Sequence, residues 1–460
     1  MDSNEQRISF GYAAFIVVFI FGFVGMGVFI LEAPLELMFL LAWLPTIPLL
    51  MKAGYSYGEL QGMAWKMAEE SFEPNVILLA IGAMIATWIA GGTIPYIIYL
   101  GLKFISPSHF LISALILASL TSLATGTSWG TLGTVGLALV GIGNAMGVPA
   151  PMTAGAIICG AYFGDKMSPL SDSTILAASI AGTPVMTHVK YMLITTGPAY
   201  LITAVIFTIL GFKSVDIVYD DTMINEIMTT FNEIFNFSGI ELIPPIIVLV
   251  LLVKNMPSIM SLMIGAVAGM GVAVIGKGES LKTVLSYMIE GYKINTGSEF
   301  IDILLNRGGT NSMISAFLAI FLALCISGML DKTGVLKVLV DPLVRKCHSS
   351  RFKIILCTVI LVYITNAVGS SMLFASIVTG TLMKSIFDEN KLSPENLSRT
   401  LEDAGTLGAV LIPWNSNAIY ASQMLGVAPL AFIPYCFLNW MTPIFSLIFA
   451  KTGFLIRYKK

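Results

Sequence analysis

The stretch GDKMSPLSDST, residues 164–174, is charged and rich in serine, yet apolar segments flank it at 150–163 and 175–182. The first apolar segment makes about 20 Å of helix at 1.5 Å per residue. In a membrane, the polar stretch would therefore lie near mid-depth and not at a surface. Pro169 cannot continue a helical hydrogen-bond ladder, and Gly164 permits unusual backbone angles. The stretch thus predicts a helix that unwinds over 164–174 and exposes polar backbone.

The composition indicates that this stretch does lie in a membrane. Of the 460 residues, 56% are hydrophobic and 11% are charged, whereas soluble proteins carry about 25% charged residues. Irregular backbone at membrane depth is tolerated only where protein or a water-filled cavity satisfies it. The fold class predicted is an all-α polytopic membrane protein with about 10 transmembrane helices plus two re-entrant hairpins. The long apolar stretches are 10–31, 35–51, 191–212, 258–275, 313–330 and 428–450.

Charge and cysteine content argue against other classes of protein. The formal net charge is −2, and no basic cluster with interleaved aromatic residues is present, so no nucleic-acid partner is expected. Five cysteines show neither the spacing of metal ligands nor a disulfide framework, so free thiols are expected. No zinc motif and no nucleophile–base pair is visible. We therefore expect neither an enzyme nor a cofactor.

Lysine and arginine residues predict the orientation in the membrane, because they concentrate in cytoplasmic loops. The segment 331–353 and the C-terminal tail are both basic, which places them in the cytoplasm. The segment 213–241 has one lysine and six acidic residues, which suits the outside. The segment 277–307 must also lie outside, although it holds four basic residues. Both termini are predicted to be cytoplasmic.

Three motifs recur in the same order, with offsets between 237 and 244 residues. LAIGAMIATWIAGGTIP (79–95) resembles LAIFLALCISGMLDKTG (318–334), and ATGTS (124–128) matches AVGSS (367–371). SPLSDST (168–174) aligns with IPWNSNA (412–418). With the predicted orientation, this pattern indicates an inverted-topology repeat, in which substrate sites form at broken helices near the midplane.

The repeat divides the chain into a predicted transport unit and a predicted scaffold. Residues 74–183 form the first transport-domain half, a hairpin plus a broken helix, and 313–425 form the second. The scaffold comprises spans in 1–73, spans and a linker in 184–312, and a span with the cytoplasmic tail in 426–460.

Asp165 and Asp172 are the main candidates for function. A charge at the bilayer centre costs about 3 kcal/mol or much more, depending on the scale, so it is retained mainly where it has a role. A carboxylate beside water can bind Na⁺ as a hard oxygen ligand or bind a proton. A group that holds either ion, but not both, is the minimum that a cation/proton exchanger needs.

The alternative for these residues is structural. Asp165 would then pair with Lys166, and Asp172 would cap the helix that starts near Ile175. Lys166 is in any case expected to be a counter-charge, because an ammonium group cannot coordinate a cation. Glu402 and Asp403 are expected to precede a helix that starts at Gly405, where acidic residues favour the N-terminal dipole.

Hydroxyl and amide groups in the other breaks complete the predicted site. ATGTSWGT (124–131) and NAVGSS (366–371) look like hairpin tips, and PWNSN (413–417) has amides where its counterpart has acids. The alternative is that these small polar residues only permit close helix packing. Besides the two aspartates, the predicted cation- or proton-binding residues are Ser168, Ser171, Thr174, Thr125, Thr127, Ser128, Asn366, Ser370, Ser371, Asn415, Ser416 and Asn417.

Through GDKMSPLSDST, TWIAGGTIP (87–95) and GTSWGT (126–131), the chain resembles the NhaC family of Na⁺/H⁺ antiporters, within the ion-transporter superfamily. The resemblance covers the whole chain. It implies exchange of Na⁺, or Li⁺, for H⁺ across a bacterial inner membrane by an elevator-like, alternating-access movement. The superfamily suggests a homodimer. The expected partners are thus Na⁺ and H⁺ as substrates and the lipid bilayer.

The resemblance leaves a second function open. Some members of the family exchange organic acids such as malate and lactate, coupled to Na⁺ and H⁺, and others are suspected amino-acid carriers. The alternative function is therefore Na⁺/H⁺-coupled exchange of a small organic acid or an amino acid. A channel or a membrane-embedded enzyme is the third hypothesis, and the repeat with broken helices disfavours it.

Overall fold

A computed structural model describes residues 8–218, 221–254, 256–346 and 350–459. The first seven residues of the predicted N-terminal scaffold segment lie outside these ranges. Within them the chain is helical, and the extended pairing is a single isolated bridge between Leu392 and Tyr458. The predicted all-α class is confirmed.

Residues 8–183 contain ten α-helices, with a short break between α9 and α10. A π-helical segment, Leu132–Gly136, joins α7 to α8. The helices are α1 Phe10–Ile30, α2 Leu35–Lys52, α3 Tyr57–Ala68, α4 Phe72–Ala90, α5 Thr93–Phe104, α6 Phe110–Thr125, α7 Ser128–Thr131, α8 Leu137–Ala145, α9 Ala150–Met167 and α10 Asp172–Ala181.

The rest of the chain begins with a long helix and ends in a second broken helix and a final span. π-helical segments continue α14 (Val272–Gly276) and join α21 to α22 (Leu401–Thr406). The helices are α11 Val185–Val218, α12 Asp221–Phe235, α13 Ile243–Val253, α14 Ser258–Gly271, α15 Leu281–Glu290, α16 Glu299–Leu305, α17 Ile314–Lys332, α18 Val335–Lys346, α19 Arg351–Gly369, α20 Met372–Glu389, α21 Pro394–Thr400, α22 Leu407–Ala409, α23 Ser416–Leu425, α24 Pro429–Phe432 and α25 Phe437–Thr452.

In the described part of the chain, seven helices are long and apolar enough to cross a membrane, and up to ten if each of three bent pairs is one span. The bends are 70° between α4 and α5, 94° between α12 and α13, and 87° after α23. This confirms a polytopic membrane protein. The continuous span predicted over 427–450 is wrong, because the chain bends after α23 and the final helix begins only at Phe437.

The cysteines differ in part from the prediction. Cys159, Cys325 and Cys436 are free thiols, as expected. Cys357 is disulfide-bonded, so the expectation is wrong for that residue. Cys347 lies outside the described residues.

Helix boundaries in the two halves recur at a spacing of 244 residues. α9 begins at Ala150 and α21 begins at Pro394. α10 and α23 are each 10 residues long, and both end at a glycine in the left-handed conformation, Gly182 and Gly426. The repeat seen in the sequence is therefore a repeat of structural elements as well.

The hairpin tips follow the same spacing and correct the sequence alignment by one residue. The left-handed residue after α6 is Gly126, and the left-handed residue after α19 is Ser370. The sequence comparison had paired Gly126 with Gly369. Serine, with a φ of 52°, thus occupies a conformation that glycine adopts more easily.

One hydrogen bond is also repeated at this spacing. The Ser122 hydroxyl donates to the Ala161 carbonyl at 2.5 Å, and the Asn366 amide donates to the Gly405 carbonyl at 2.9 Å. In each half the bond ties the hairpin to the helix that leads to the break. The inverted orientation of the two halves in the membrane stays a prediction.

Close packing of α6 against α9 depends on glycine. A Cβ atom at Gly160 would lie 2.4 Å from the Leu115 carbonyl oxygen and 2.8 Å from the Ala118 Cβ. A Cβ at Gly164 would lie 2.4 Å from the Leu123 backbone nitrogen. Small residues at helix interfaces let membrane helices approach closely, and here that approach brings the first hairpin against the helix that carries Asp165.

We expect Gly160→Val to lower the free energy of unfolding by about 1–3 kcal/mol or more, because the added methyl groups must separate two packed helices. Unfolding by SDS in mixed micelles would measure the change. Gly197→Val in α11 is the matched control, because a Cβ at Gly197 meets nothing within 4 Å. Equal stability of the two variants would contradict this account of the α6–α9 contact.

Candidate functional site

The first helix break lies one turn later than predicted. α9 continues through Asp165 to Met167, and the break comprises 168–171. Ser168 is extended, with φ −80° and ψ 128°, because the residue before a proline is sterically excluded from the helical region. Asp165 therefore lies in the last helical turn of α9 and not in an unwound loop.

Asp165 is buried, and each of its carboxylate oxygens accepts a hydrogen bond from a serine. Ser128 Oγ donates to Oδ2 at 2.6 Å, and Ser171 Oγ donates to Oδ1 at 2.5 Å. Ser128 begins α7 at the first hairpin tip, and Ser171 ends the break, so tip and break meet at this carboxylate. A hydroxyl has lone pairs as well as a proton, so both serines can also present oxygen to a cation.

An asparagine next to the break in the second half (410–415) hydrogen-bonds to the elements that carry Asp165. The Asn417 Oδ1 atom accepts hydrogen bonds from Trp129 Nε1 and from the Tyr162 hydroxyl, both at 2.9 Å. Trp129 follows the serine at the first tip, and Tyr162 lies one turn before Asp165. The amide therefore fixes both elements that carry the carboxylate site.

Asn417 belongs to a short chain of hydrogen-bonded amide side chains. Asn417 Nδ2 donates to Asn415 Oδ1 at 2.9 Å, and Asn415 Nδ2 donates to the Asn366 carbonyl at 3.1 Å. All three side chains are buried. The asparagines predicted as cation ligands thus bind one another and the neighbouring aromatic residues. In this structure they position the site rather than face the Asp165 carboxylate.

The remaining predicted residues mostly satisfy backbone groups. Thr127 and Ser371 cap α7 and α20, accepting from backbone nitrogens of Gly130 and Phe374. Thr174 donates to the Lys166 carbonyl at 3.0 Å. The others also lie at tips or breaks and are buried: Thr125, Ser168, Ser370 and Ser416.

Asp172 occupies a different environment from Asp165. It lies in the first turn of α10, and its side chain is exposed. An acidic residue there favours the helix dipole, but the N-cap of α10 is Ser171, so Asp172 does not cap a helix that starts near Ile175. Of the two aspartates, Asp165 is the one that the structure surrounds with hydroxyl groups.

Lys166 is a counter-charge, but for Asp403 and not for Asp165. Its ammonium group donates to Asp403 Oδ1, and both side chains are fully buried. The Thr195 hydroxyl donates to the same oxygen at 3.0 Å, and Arg399 Nε lies 3.8 Å from Oδ2. The structural alternative of an Asp165–Lys166 pair is therefore not what the fold contains.

The buried site also contains Glu402 and Asp403, which the sequence placed before a helix, and Arg399, which the sequence did not single out. The expectation that Glu402 and Asp403 precede a helix is wrong, because the helical chain runs from Pro394 through the π segment to Ala409. Both acids are thus buried within it. The sequence signal for this helix was the spacing of 244 residues between the two halves, because adding 244 to the first residue number of α9 gives Pro394.

These residues form one charged cluster in the protein interior. In the part of the chain that the structure describes, six buried side chains carry a formal charge, and five of them belong to this cluster. The sixth is Glu241, which binds Lys277. We use the name charged cluster for Asp165, Lys166, Arg399, Glu402 and Asp403.

A helical membrane fold with two broken helices and a buried charged site defines a secondary transporter. The model of the Na⁺/H⁺ antiporter family matches residues 160–454. Together with relatives at 32–39% identity over most of the chain, this shows that the chain belongs to the Na⁺/H⁺ antiporter family.

Its curated relatives are antiporters with several cargoes. The chain is 39% identical to the malate-2H⁺/Na⁺-lactate antiporter of Bacillus subtilis, over 94% of this chain and 92% of that protein. It is 33% identical to the Na⁺/H⁺ antiporter NhaC of Alkalihalophilus pseudofirmus, over 90% of this chain and 92% of that protein. It is 32% identical to the arginine/ornithine antiporter ArcD of Halobacterium salinarum, over 99% of this chain and 94% of that protein.

Proposed function

We propose that this protein exchanges Na⁺ for H⁺ across a bacterial inner membrane, and that Asp165 binds the Na⁺. The observation that carries the proposal is the buried Asp165 carboxylate with a serine hydroxyl on each oxygen, at the junction of hairpin tip and helix break. Asp172, which is exposed, follows Ser171 directly in the chain.

The chemistry follows from the oxygen atoms present. Without Na⁺, Ser128 and Ser171 donate to the ionised carboxylate. When Na⁺ arrives, the hydroxyls turn their lone pairs toward it, so two carboxylate and two hydroxyl oxygens are available as hard ligands. The C-terminal carbonyls of α9 add negative partial charge. The loaded carboxylate has no net charge, which favours its movement through a low-dielectric interior.

Exchange of a small organic acid or an amino acid, coupled to Na⁺ and H⁺, is the second candidate. The relative at 39% identity, named for malate and lactate, favours it. So does the N-terminus of α10, because unsatisfied backbone N–H groups at a helix N-terminus bind carboxylates. In that case Asp165 would still bind the coupling ion.

Transport in proteoliposomes separates the two candidates. With an imposed Na⁺ gradient, a pH dye inside and no organic solute, we expect Na⁺-driven proton movement. Malate, lactate or arginine is then added to matched liposomes. Proton movement only after such an addition would replace the first candidate by the second, and no proton movement under either condition would contradict both.

An elevator-like step gives the site access to each side in this proposal. Residues 79–183 and 317–425 would move together against the spans at 1–52 and 190–275 and the final helix α25. In the same liposomes, a cysteine cross-link from the tip at 124–128 to α13 should stop transport. Cross-linked protein that transports at the uncross-linked rate would contradict such a movement.

A further inference from the structure

The charged cluster contains three carboxyl groups and two basic groups. Asp165, Glu402 and Asp403 oppose Lys166 and Arg399, and the least buried of the five is 4% exposed. When all five are ionised, the cluster has a net charge of −1. Net charge is costly in a buried site, so one monovalent cation is needed for balance.

Among the three carboxyl groups of the cluster, Glu402 differs from the other two in its hydrogen bonding. Neither of its carboxyl oxygens has a hydrogen-bond partner within the described residues. Asp403, by contrast, binds Lys166 and Thr195, and the two serines bind Asp165. A fully buried carboxylate without a donor is unfavourable, whereas a protonated carboxyl group needs far less solvation.

Serine hydroxyls connect Asp165 to the surroundings of Glu402. Ser171, which donates to Asp165, lies 3.1 Å from Ser173 Oγ. Ser173 and Thr406 lie near the Glu402 carboxyl group without reaching hydrogen-bond geometry, and Lys166 and Asp165 are close enough to act on its charge. The two carboxyl groups are therefore electrostatic neighbours within one site.

We propose that Na⁺ and H⁺ occupy different carboxyl groups of this cluster, Na⁺ at Asp165 and the proton at Glu402, and that charge balance makes them exclude each other. The inference rests on the proposed function and names the residue that carries the proton.

The net charge of the cluster is zero both before and after the exchange. In the proton-loaded state Glu402 is neutral, and Asp165 and Asp403 balance Lys166 and Arg399. When Na⁺ binds Asp165, the cluster gains one positive charge. The O–H bond of Glu402 then breaks, its electron pair stays on the carboxylate, and the proton leaves to water. One proton is released for each Na⁺ bound.

Other groups that face the cluster keep this accounting unchanged. His188 is bound through Nδ1 to the Ser398 hydroxyl at 2.8 Å, and the Tyr191 ring lies 4.6 Å from the Arg399 guanidinium carbon. Both are neutral in this balance. Asp172 from α10 is charged, but it is exposed to solvent and is therefore left out of the buried balance. Tyr363 from α19, Ser376 from α20 and Asn439 from α25 pack against the segment 405–408 and are uncharged.

Proton release on Na⁺ binding tests the proposal without transport. Purified full-length protein in detergent, in weak buffer, is titrated with NaCl while pH and heat are recorded. Wild type should release about one proton per Na⁺, and its Na⁺ affinity should rise about tenfold per pH unit where Glu402 is protonated. Glu402→Gln should release no proton and bind Na⁺ about tenfold or more weakly, because it fixes the neutral, balanced state.

Two further variants control for folding and for charge. Glu402→Asp keeps a carboxyl group and should keep proton release. Glu402→Gln combined with Arg399→Gln restores a net charge of −1 and should recover Na⁺ affinity without proton release. Size-exclusion elution and thermal melting confirm that each variant is folded.

The outcomes distinguish this inference from the proposed function. If Glu402→Gln releases protons like wild type, or if the double variant binds Na⁺ no better than Glu402→Gln, the inference is wrong while the proposed function stands. If wild type binds no Na⁺ at any pH, both are wrong.

Discussion

Replacing Asp165 with asparagine should reduce Na⁺-driven proton movement by about 100-fold or to background. The amide keeps the shape of the side chain but removes the charge. Charge-assisted interactions of this kind contribute about 1.5–3 kcal/mol each, and 1.4 kcal/mol corresponds to a tenfold change in affinity. Proteoliposomes with an imposed Na⁺ gradient and an internal pH dye provide the measurement.

Substitutions at neighbouring residues show which side chains bind Na⁺. Ser128→Ala and Ser171→Ala each remove one oxygen from the site and should lower Na⁺ affinity about tenfold. Asp172→Asn should have a smaller effect than Asp165→Asn, because the Asp172 side chain is exposed. Asp388→Asn is the control, since Asp388 forms a surface pair with Lys459. Normal transport by Asp165→Asn, with loss in Asp172→Asn, would move the Na⁺ site to the first turn of α10.

The comparison of Asp165 with Asp172 shows what a linear sequence could predict of the site. Composition and the apolar flanks were enough to place a polar break inside a membrane protein, and the recurring motifs were enough to indicate two related halves. Burial of one aspartate and exposure of the other depend on where the hairpin tip at Ser128 meets α9. That contact joins residues 37 positions apart and leaves no periodic pattern in the sequence.

The charged cluster shows where the sequence analysis failed for a physical reason. From the sequence, Glu402 and Asp403 were placed before a helix at Gly405, and Arg399 was not singled out, because charged residues normally lie in water. The structure buries them, since Lys166 from the other half supplies the opposite charge to Asp403. The partner lies 237 residues away, so local composition could not reveal it. The spacing between the halves is a signal for the helix that begins at Pro394, but not for the pairing.

The asparagines illustrate an intermediate case. Their place in the second break was predicted from the repeat, and the structure has Asn415 and Asn417 at that break. Their hydrogen bonds were not predictable, because they are made with Trp129 and Tyr162 of the first half. The two halves are thus similar in backbone and different in chemistry. Carboxylate oxygens lie at one break, and amides at the other hold those oxygens in place.

The second large effect that we expect is a loss of stability in the Asp403→Asn variant. This change removes the carboxylate that pairs directly with Lys166 and Arg399, and breaking a buried ion pair from one side costs about 3–5 kcal/mol. Unfolding by SDS in mixed micelles should show this loss.

Lys166→Met should cost less than Asp403→Asn, because Asp403 would still have Arg399 and Thr195 beside it. The exposed pair of Asp388 and Lys459 provides the matched control, since a surface ion pair contributes only about 0–1 kcal/mol. If Asp403→Asn is as stable as Asp388→Asn, the buried cluster does not hold the two halves together. The pairing of Lys166 with Asp403 would then have to matter for transport alone, and Asp403→Asn would show that as a loss of Na⁺-driven proton movement at unchanged stability.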